Sequence, residues 1–388
     1  MYPTISDLIK DIFGIYIPLP IQSFGFFVAV AFLIGGYFWS LELKRKEDEG
    51  LLQPNTIKVL KGKKATVSEL IFSAIVGFII GYKLIDAVFN YSQLVENPQE
   101  FILSFKGNFI GGLAIASLSA YLKYQEKEKE KLETPIWVEE TIHPYQLTGN
   151  LTMVSAVSGI IGAKIFHNLE NPADFLADPV GALLSFSGLT MYGGLICGAI
   201  AVIYYGSKNK IPYRYLIDSC APTLMIGYGI GRIGCHVSGD GDWGIPNDAP
   251  MPDWLSWLPD WTWAYNYPNN VLGWNLKEKF IEDGFVSITG NAYPTPFYEA
   301  VVSILLFCFL WSIRKKIKVA GVLFCAYLIL NGTERFFIEK IRVNETYSIF
   351  GFHPTQAEII SVMLVIIGIT GIFYFRKQEQ KVTDLQGF

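Results

Sequence analysis

The amino-acid sequence predicts an all-α, polytopic integral membrane protein with about nine transmembrane helices. Of the 388 residues, 51% are hydrophobic and 15% are aromatic, and the mean hydropathy is +0.33. Soluble chains of this length carry fewer apolar residues and form two or three domains. Several windows reach the roughly 20 apolar residues that cross a bilayer, with charges only at their ends. We therefore expect lipid to surround most of the chain.

Nine windows have the length and hydropathy of a membrane span. They cover residues 21–41, 67–89, 103–123, 149–168, 180–206, 213–234, 296–313, 319–337 and 354–375. No small-residue cleavage site follows the first window, so we expect it to persist as a helix and not to be removed with a signal peptide. The five cysteines form no CxxC pair and four lie in apolar windows, which favours free thiols over a structural disulfide.

Lysine and arginine are concentrated in alternate connections between these windows. The connections that follow odd-numbered windows carry 21 of the 31 cations, and the opposite connections carry only five. Cations favour the cytoplasmic side of a membrane. The pattern predicts an N-terminus outside and a C-terminus in the cytoplasm.

The chain divides into three predicted parts. Residues 1–238 hold the first six helices, 239–292 form a small extracytoplasmic cap, and 293–388 hold the last three helices and a cytoplasmic tail. The cap contains six of the nine tryptophans together with several Pro, Asp and Asn residues. This composition suits an ordered segment at the level of the lipid headgroups.

A duplicated hairpin occupies about residues 67–124 and 149–206. The blocks FIIGYKLIDAVF, ENP, ILSFKG and GGLAIASLSAYLKY recur in order as GIIGAKIFHNL, ENP, LLSFSG and GGLICGAIAVIYY. Both copies run in the same direction and cover two helices each, whereas secondary transporters usually show symmetry over most of the chain. For Lys83 in the first copy, the alternatives are a pair with Asp86 and a side chain that reaches the interface.

The segment GRIGCHVSGDGDWG, residues 231–244, begins at the outer end of the sixth window. Arg232 offers a planar fork of donors that matches phosphate, and phospholipid headgroups are the abundant phosphate at that depth. The alternative is an ion pair between Arg232 and Asp240 or Asp242. Those two carboxylates could also orient the arginine or bind glycerol hydroxyls. The permissive backbone of a tight loop is supplied by Gly239, Gly241 and Gly244.

Three further segments place polar groups at the outer ends of predicted helices. NGTERFFIEKIRVN, residues 331–344, contains four charged residues spaced for pairing on one helix, Glu334, Arg335, Glu339 and Arg342. Of these, Arg335 and Glu339 could form a self-contained pair. YPTPFYEA opens the seventh span with Glu299, and HPTQAEII opens the ninth with Gln356. Proline at a helix start is ordinary, so the last two segments are weak signals alone.

In this order, and preceded by LTMYGGLICG, these segments resemble the prolipoprotein diacylglyceryl transferase family of the bacterial inner membrane. QSFGFFVAVAFLIGG is similar to the family's first helix, and IDSCAPTLMIGYGIGRIGC to its signature helix. The resemblance implies a transferase that moves the diacylglyceryl group of phosphatidylglycerol to the lipobox cysteine of prolipoproteins and releases glycerol phosphate. It implies membrane lipid as a partner, no nucleic acid, and a multi-pass location in the inner membrane.

The resemblance also assigns site residues. Arg232 and Arg335 fall on the family's essential arginines, which would stabilise the leaving phosphate. Tyr192 stands where the family usually has histidine, so a general-base role is not carried over. Phe24 replaces the first-helix tyrosine and Cys235 an asparagine. The residues expected to bind substrate are Gly193, Gly194, Cys235, His236, Gly239, Asp240, Asp242, Gly244, Glu299, Glu339 and Gln356.

The sequence does not single out the group that activates the lipobox cysteine thiol. The thiol has an ordinary pKa of about 8.5 and reacts as thiolate. Tyr192 could orient a headgroup, act as a poor base or only pack in the core. His236 could supply an imidazole or pack the loop, and His353 is a further candidate. The arginines and a helix end could instead lower the thiol pKa without a base.

Two other functions remain as alternatives. One is a carrier or flippase for an anionic lipid or solute, which would use the same arginines. The other is a related protein that binds phosphatidylglycerol without transfer. The outer position of the arginines, the one-sided cap and the short parallel repeat favour the enzyme. No nucleotide fingerprint, HEXXH motif or Cys/His cluster is present, so we expect no cofactor and no metal.

Overall fold

The computed structural model describes residues 1–185, 188, 190–348 and 351–386, with backbone only for 184 and 381–386. This part of the chain is mostly helical. Its helices are α1 Ile5–Phe13, α2 Ser23–Asp48, α3 Val67–Phe89, α4 Tyr91–Glu96, α5 Pro98–Leu103, α6 Phe109–Lys129, α7 Thr148–Glu170, α8 Pro172–Ala177, α9 Pro179–Leu184, α10 Met191–Lys208, α11 Tyr213–Ser238, α12 Leu276–Glu282, α13 Thr295–Ile313, α14 Val322–Glu339 and α15 Gln356–Gln386. Short 3-10 turns lie at Pro144–Leu147, Asp253–Leu255 and Asp260–Thr262.

Within the described residues, five helices are long and apolar enough to cross a membrane. They are α2, α3, α7 with its preceding turn, α13 and α15. Most residues in their apolar stretches are not buried by protein, as is expected of surfaces that face lipid tails. The prediction of a helical membrane protein is confirmed at this level.

Two helices begin later than their apolar windows predict. The third window starts at 103, but α6 starts at Phe109 because the Asn108 side chain accepts a hydrogen bond from the Gly111 N–H at 2.7 Å. The fifth window starts at 180, but α10 starts at Met191. Short helices α5 and α9 precede these starts, each with proline in its first turn. Positions 186, 187 and 189, in the LLSFSG block and LTMYGGLICG, lie outside the described residues.

A two-stranded antiparallel sheet departs from the predicted all-α fold. Strand β1, Asn55–Lys61, pairs with β2, Ile136–Ile142, from Asn55 opposite Ile142 to Lys61 opposite Ile136. Lys61 and Glu140 form an ion pair across the strands at 2.7 Å. The prediction missed both strands because they are short and lie in charged connections. Their pairing places the connections after α2 and α6 side by side.

In both copies of the hairpin, glycine allows the two helices to pack closely. Helix α3 packs against α6, and α7 packs against α10. A Cβ atom added to Gly81 would lie 2.7 Å from the Gly111 carbonyl oxygen, and one added to Gly162 would lie 2.5 Å from that of Gly193. Both distances are too short for a side chain. Each hairpin therefore depends on glycine at equivalent positions for close helix contact.

Equivalent lysines donate hydrogen bonds to the segment that connects the two long helices of each hairpin. Lys83 Nζ donates to the Phe101 carbonyl oxygen at 2.7 Å and to Ser104 Oγ at 3.0 Å. In the second copy, Lys164 Nζ donates to Ser185 Oγ at 2.8 Å. Lys83 therefore satisfies the C-terminal carbonyls of α5, which neither sequence alternative anticipated. The shared lysine–serine contact supports a common origin of the two hairpins.

Replacing Gly162 with alanine is expected to destabilise the second hairpin by about 1–3 kcal/mol, because the new methyl group has no space. Gly159 on the same helix is a matched control, since its Cβ would lie at an ordinary 3.6 Å from the Gly194 carbonyl oxygen. Alanine raises helix propensity at both positions, so that effect cancels. The check is the midpoint of thermal unfolding in detergent. Equal midpoints for the two variants would contradict the packing described.

Helix α11 lies at the centre of the remaining bundle. It packs against α2, α13 and α14, and α15 covers α14. The core between these helices includes Ala221, Met225, Phe307, Leu310 and Leu323. The buried Asp218 side chain on α11 accepts hydrogen bonds from the Gly321 and Phe324 amides, at 2.8 and 2.9 Å, and so fixes the start of α14. This packing holds the outer ends of α11, α13 and α14 together.

The segment 239–292 forms a loop-rich layer above that end of α11. Its core contains Trp243, Tyr267, Leu276, Phe280 and Ala292. The N-terminal segment joins this layer, since the Tyr2 N–H donates to the Val237 carbonyl oxygen at 2.9 Å and the Met1 amine donates to that of Pro268 at 2.7 Å. The start of the chain and the predicted cap are therefore in contact.

Candidate active site

The loop after α11 folds back over the helix that it leaves. Gly239 ends α11 with a φ of 66°, and its N–H donates to the Cys235 carbonyl oxygen at 2.9 Å. Glycine suits this left-handed conformation. The turn brings Asp242 back to Arg232, with which it forms an ion pair. Thr295 Oγ1 at the start of α13 holds the loop by donating to the Asp242 carbonyl oxygen at 2.7 Å.

Gly244 lets the same loop approach the segment that follows α14. A Cβ atom at Gly244 would overlap the Ile341 carbonyl oxygen. The Ile245 N–H donates to that oxygen at 2.9 Å. This close approach places Asp242 2.5 Å from a guanidinium nitrogen of Arg342. Gly244 thus acts on the site through backbone packing.

Glu299, on α13, is the central residue of the site and is 0% exposed. Its carboxylate accepts a hydrogen bond from the Tyr228 hydroxyl at 2.8 Å. It also contacts three guanidinium groups, Arg335 at 2.6 Å, Arg232 at 3.2 Å and Arg342 at 3.3 Å. One buried carboxylate therefore fixes three arginines from α11, α14 and the segment after α14.

Two more carboxylates complete what we call the arginine–carboxylate network. Arg335 pairs with Glu339 at 3.1 Å, and Asn344 donates to Glu339 Oε1 at 2.5 Å. The network consists of Arg232, Arg335, Arg342, Asp242, Glu299 and Glu339. Its three cations and three anions balance, which is the condition under which buried charges are tolerated.

Both arginines, Arg232 and Arg335, form ion pairs that the sequence offered as alternatives to phosphate binding. Arg232 pairs with Asp242 and not with Asp240 among the described contacts. The pair of Arg335 with Glu339 is not self-contained, because Arg335 also binds Glu299. The sequence placed Arg342 in an outer connection and spaced it for pairing on one helix, but did not assign it to the site. Its position two helical turns after Arg335 was the available signal.

The two aspartates of the loop differ in their electrostatics. Burial opposes ionisation of Asp242, but Arg232 and Arg342 outweigh it and lower the pKa of the carboxyl. Burial, and then the negative charge of Asp242, raise the pKa of Asp240. Asp242 is therefore the anionic member of the two, and Asp240 takes up a proton more readily.

One cluster has ligand atoms close enough to hold a metal ion. Candidate ligand atoms of Cys235, Asp240 and Asp242 lie within 4.8 Å of one another. Asp242 is already paired with two arginines, however, and their positive charge opposes a second cation. The donor set is thus better matched to the arginines than to a metal.

The neighbours of Arg232 on α11 have different surroundings. Cys235 Sγ lies 3.7 Å from an Arg232 guanidinium nitrogen. His236 instead lies among aromatic rings, with centroid distances of 5.4–5.9 Å. Those rings belong to Trp261, Tyr265, Tyr267 and Phe297. Its Nδ1 is 3.3 Å from the Tyr267 hydroxyl oxygen. The described contacts of His236 favour the loop-packing alternative over a role in proton transfer.

The side chains of the remaining predicted residues make no hydrogen bond or ion pair with the network among the described contacts. Tyr192 is half-buried in the first turn of α10, within electrostatic range of Arg335 and Glu339. Gly193 and Gly194 face α7, where added Cβ atoms would lie 2.6 and 3.0 Å from carbonyl oxygens. The two glycines therefore serve helix packing. The Gln356 side chain is exposed at the first residue of α15.

Apolar helices long enough to span a bilayer, together with a buried set of paired arginines and carboxylates, define a helical membrane protein with a charged site inside its helix bundle. Residues 132–374 match the family model of prolipoprotein diacylglyceryl transferase. The chain belongs to this family. The matched range begins after the first copy of the hairpin, in which α3 and α6 lie.

Relatives named phosphatidylglycerol–prolipoprotein diacylglyceryl transferase align over most of their length. The protein of Dehalococcoides mccartyi is 26% identical over 242 residues, 62% of this chain and 81% of the relative. That of Clostridium botulinum is 28% identical over 234 residues, covering 60% and 82%. That of Oceanobacillus iheyensis is 30% identical over 264 residues, covering 68% and 81%.

Proposed function

We propose that this chain transfers the diacylglyceryl group of phosphatidylglycerol to the lipobox cysteine thiol of prolipoproteins, with release of glycerol phosphate. This is the first step of lipoprotein maturation. The observation that carries the proposal is the convergence of Arg232, Arg335 and Arg342 on the single buried carboxylate of Glu299. The family and the names of the relatives agree with it.

The network suits the chemistry because negative charge develops on the leaving phosphate. The sulfur of the precursor attacks the glyceryl carbon, and the carbon–oxygen bond to phosphate breaks. Arg232 and Arg335 are the residues that we assign to stabilise this phosphate, with Arg342 beside them. Glu299 holds all three guanidinium groups in place before substrate arrives. Such preorganised charges act strongly where water is excluded.

We propose that nine helices cross the membrane, with the N-terminus and the 239–292 cap outside and the C-terminus in the cytoplasm. The distribution of cations supports this topology. The β1–β2 pairing supports a common side for the connections after α2 and α6. The contact between Met1 and Pro268 supports a common side for the N-terminus and the cap. The corresponding location is the bacterial inner membrane.

The substrate-binding roles remain part of this proposal. Phosphatidylglycerol would present its phosphate to the arginines and its terminal glycerol to Asp240 and Asp242. The lipobox segment would enter from the side of Tyr192 on α10. The diacyl chains would stay in the surrounding membrane lipid. The reaction as written needs no cofactor or metal.

The test is a transfer assay with the purified full chain. Vesicles containing phosphatidylglycerol are mixed with a peptide that carries a lipobox cysteine, and mass spectrometry follows the diacylglyceryl thioether and glycerol phosphate. The matched control is the same peptide with serine in place of cysteine. Both products are expected with the cysteine peptide and neither with the serine peptide. Lipid binding or lipid movement without a thioether would favour a binding protein or a flippase.

Tyr192→Phe is expected to keep the turnover rate within about threefold of the unchanged protein. The reason is that, in the described structure, the Tyr192 hydroxyl makes no hydrogen bond to the network. Tyr228→Phe is the matched comparison, since it removes the 2.8 Å bond to Glu299. That loss is expected to slow turnover about tenfold to 100-fold. The measurement is the initial rate of transfer at saturating phosphatidylglycerol. A larger loss in Tyr192→Phe than in Tyr228→Phe would refute the roles given to these two tyrosines.

A further inference from the structure

Glu334 is a buried carboxyl group that the proposed mechanism has not used. It lies on α14 next to Arg335 and is 9% exposed. Both of its carboxylate oxygens are buried and have no hydrogen-bond partner among the described residues. Tyr327 and Leu330, seven and four positions earlier, pack against the core shared with α11 and α13. Helical periodicity places Glu334 on that same inward face.

Glu334 has no ion pair or hydrogen bond of its own among the described residues. It lies within electrostatic range of Glu299, Arg335 and Arg232, so it adjoins the network. The three arginines of the network are already matched by three carboxylates. A fourth carboxylate would have no unmatched cation and no hydrogen bond, a condition in which a buried acid keeps its proton. The carboxylic acid is therefore the form of Glu334 that suits these surroundings.

We propose that Glu334 is the proton carrier of the transfer reaction, an inference that rests on the proposed function. As sulfur bonds to the glyceryl carbon, the carbon–oxygen bond breaks and its electron pair stays on the phosphate oxygen. Glu334 gives its proton to that oxygen. The proton of the thiol then replaces it on Glu334. No other reactant is needed, because the thiol proton ends on glycerol phosphate.

This proton transfer keeps the charge of the site constant. Phosphatidylglycerol enters with one negative charge on phosphate. Without a donor, glycerol phosphate would form as a dianion beside a network that has no spare cation. In a site from which water is excluded, an additional unpaired charge is strongly unfavourable. With Glu334 as donor, the product leaves with the single charge that the substrate brought.

Two of the candidates from the sequence, His236 and Tyr192, meet this need less well. The described contacts of His236 are with the aromatic rings of the cap layer. Tyr192 lies at the margin of the network, and tyrosine, with an ordinary pKa of about 10, is a weak proton donor. Glu334 combines burial, an available carboxylic acid and proximity to Arg335.

The test compares Glu334→Gln with Glu334→Asp in the full chain. Glutamine keeps the size and polarity of the side chain but removes its transferable proton. We expect E334Q to lower kcat about 100- to 1,000-fold, the range for loss of a general acid or base. KM for phosphatidylglycerol should stay within about threefold, because the arginines are unchanged. Aspartate retains the carboxylic acid, so E334D should recover at least about a tenth of the activity.

A second substrate separates proton transfer from a structural defect. In a diacylglyceryl sulfate ester, the leaving sulfate oxygen is weakly basic and needs no proton, so the thiol proton passes to the buffer in E334Q and in the unchanged protein alike. E334Q and the unchanged protein should therefore use this ester at rates within about threefold of each other. A distorted site would slow both substrates equally, and that result would overturn the proposal. An E334Q protein with unchanged kcat on phosphatidylglycerol would also overturn it.

The unchanged protein and E334D provide a test that does not require E334Q to fold. Proton transfer from Glu334 predicts that deuterated water slows the reaction with phosphatidylglycerol more than the reaction with the sulfate ester. Equal rates in both solvents with phosphatidylglycerol would overturn the role of Glu334. Absence of any thioether from the unchanged protein would instead refute the proposed function, so the two failures are distinguishable.

Discussion

Arg232→Ala is expected to lower kcat for diacylglyceryl transfer by about 1,000-fold or more. Loss of one fixed donor from an oxyanion-binding site costs about 100- to 1,000-fold, and this change removes a whole guanidinium group. Arg232 also contacts both Asp242 and Glu299, so these carboxylates would face the incoming phosphate with less compensating charge. The measurement is single-turnover formation of the thioether at saturating phosphatidylglycerol.

Two controls accompany this prediction. Arg232→Lys retains the charge but loses the planar fork, and a smaller loss of about 100-fold is expected. Arg214→Ala removes an arginine from the opposite end of the same helix, where Arg214 contacts Gln378 and the ring of Phe375. Arg214→Ala should leave the transfer rate within about threefold of that of the unchanged protein. More than a tenth of the normal rate in Arg232→Ala would refute the assigned role of Arg232.

Glu299→Ala is expected to destabilise the folded protein by about 3–5 kcal/mol, the cost of removing one partner from a buried ion pair. Glu299 is fully buried and separates three guanidinium groups that would otherwise repel each other. The bond from the Tyr228 hydroxyl would be lost as well. The measurement is the midpoint of thermal unfolding in detergent, with transfer activity followed in parallel.

The matched control for Glu299 is a glutamate whose ion pair is exposed. Glu139 on β2 lies 3.8 Å from Lys58, with both side chains largely in solvent. Exposed pairs contribute at most about 1 kcal/mol, so Glu139→Ala should unfold at nearly the normal temperature. Glu299→Gln should fall between the two, because its amide can still accept from Tyr228. Equal stability of Glu299→Ala and Glu139→Ala would contradict the central role of Glu299.

The sequence predicted the helical architecture because apolar windows depend on local composition. It also grouped Arg232, Asp242, Glu299 and Arg335 as parts of one site, through the order of their motifs. The β1–β2 sheet escaped prediction because strand pairing joins segments about 75 residues apart and short strands carry a weak periodic signal. Pairing between such distant segments depends on the tertiary fold and not on local sequence.

Three features of the site could not be derived from local patterns. Arg342 joins the network only because the Gly244 loop approaches the segment after α14. Tyr228 lies on α11 one turn before Arg232, as many core tyrosines do, and its bond to Glu299 depends on the packing of α11 against α13. For Lys83 the sequence offered a pair with Asp86 or a side chain that reaches the interface, yet its amine bonds to the C-terminal end of α5 and to Ser104 after it.

The pairing of β1 with β2 makes the first hairpin an insertion whose two ends meet. Lys61 and Ile136 are opposite each other in the sheet, and the chain between them makes the entire excursion through α3 and α6. Segments with adjacent ends can be gained or exchanged without disturbing the surrounding fold. The family match begins only at residue 132. A duplicated hairpin could therefore enter this chain while the catalytic bundle kept its geometry, and diverge there free of catalytic constraint.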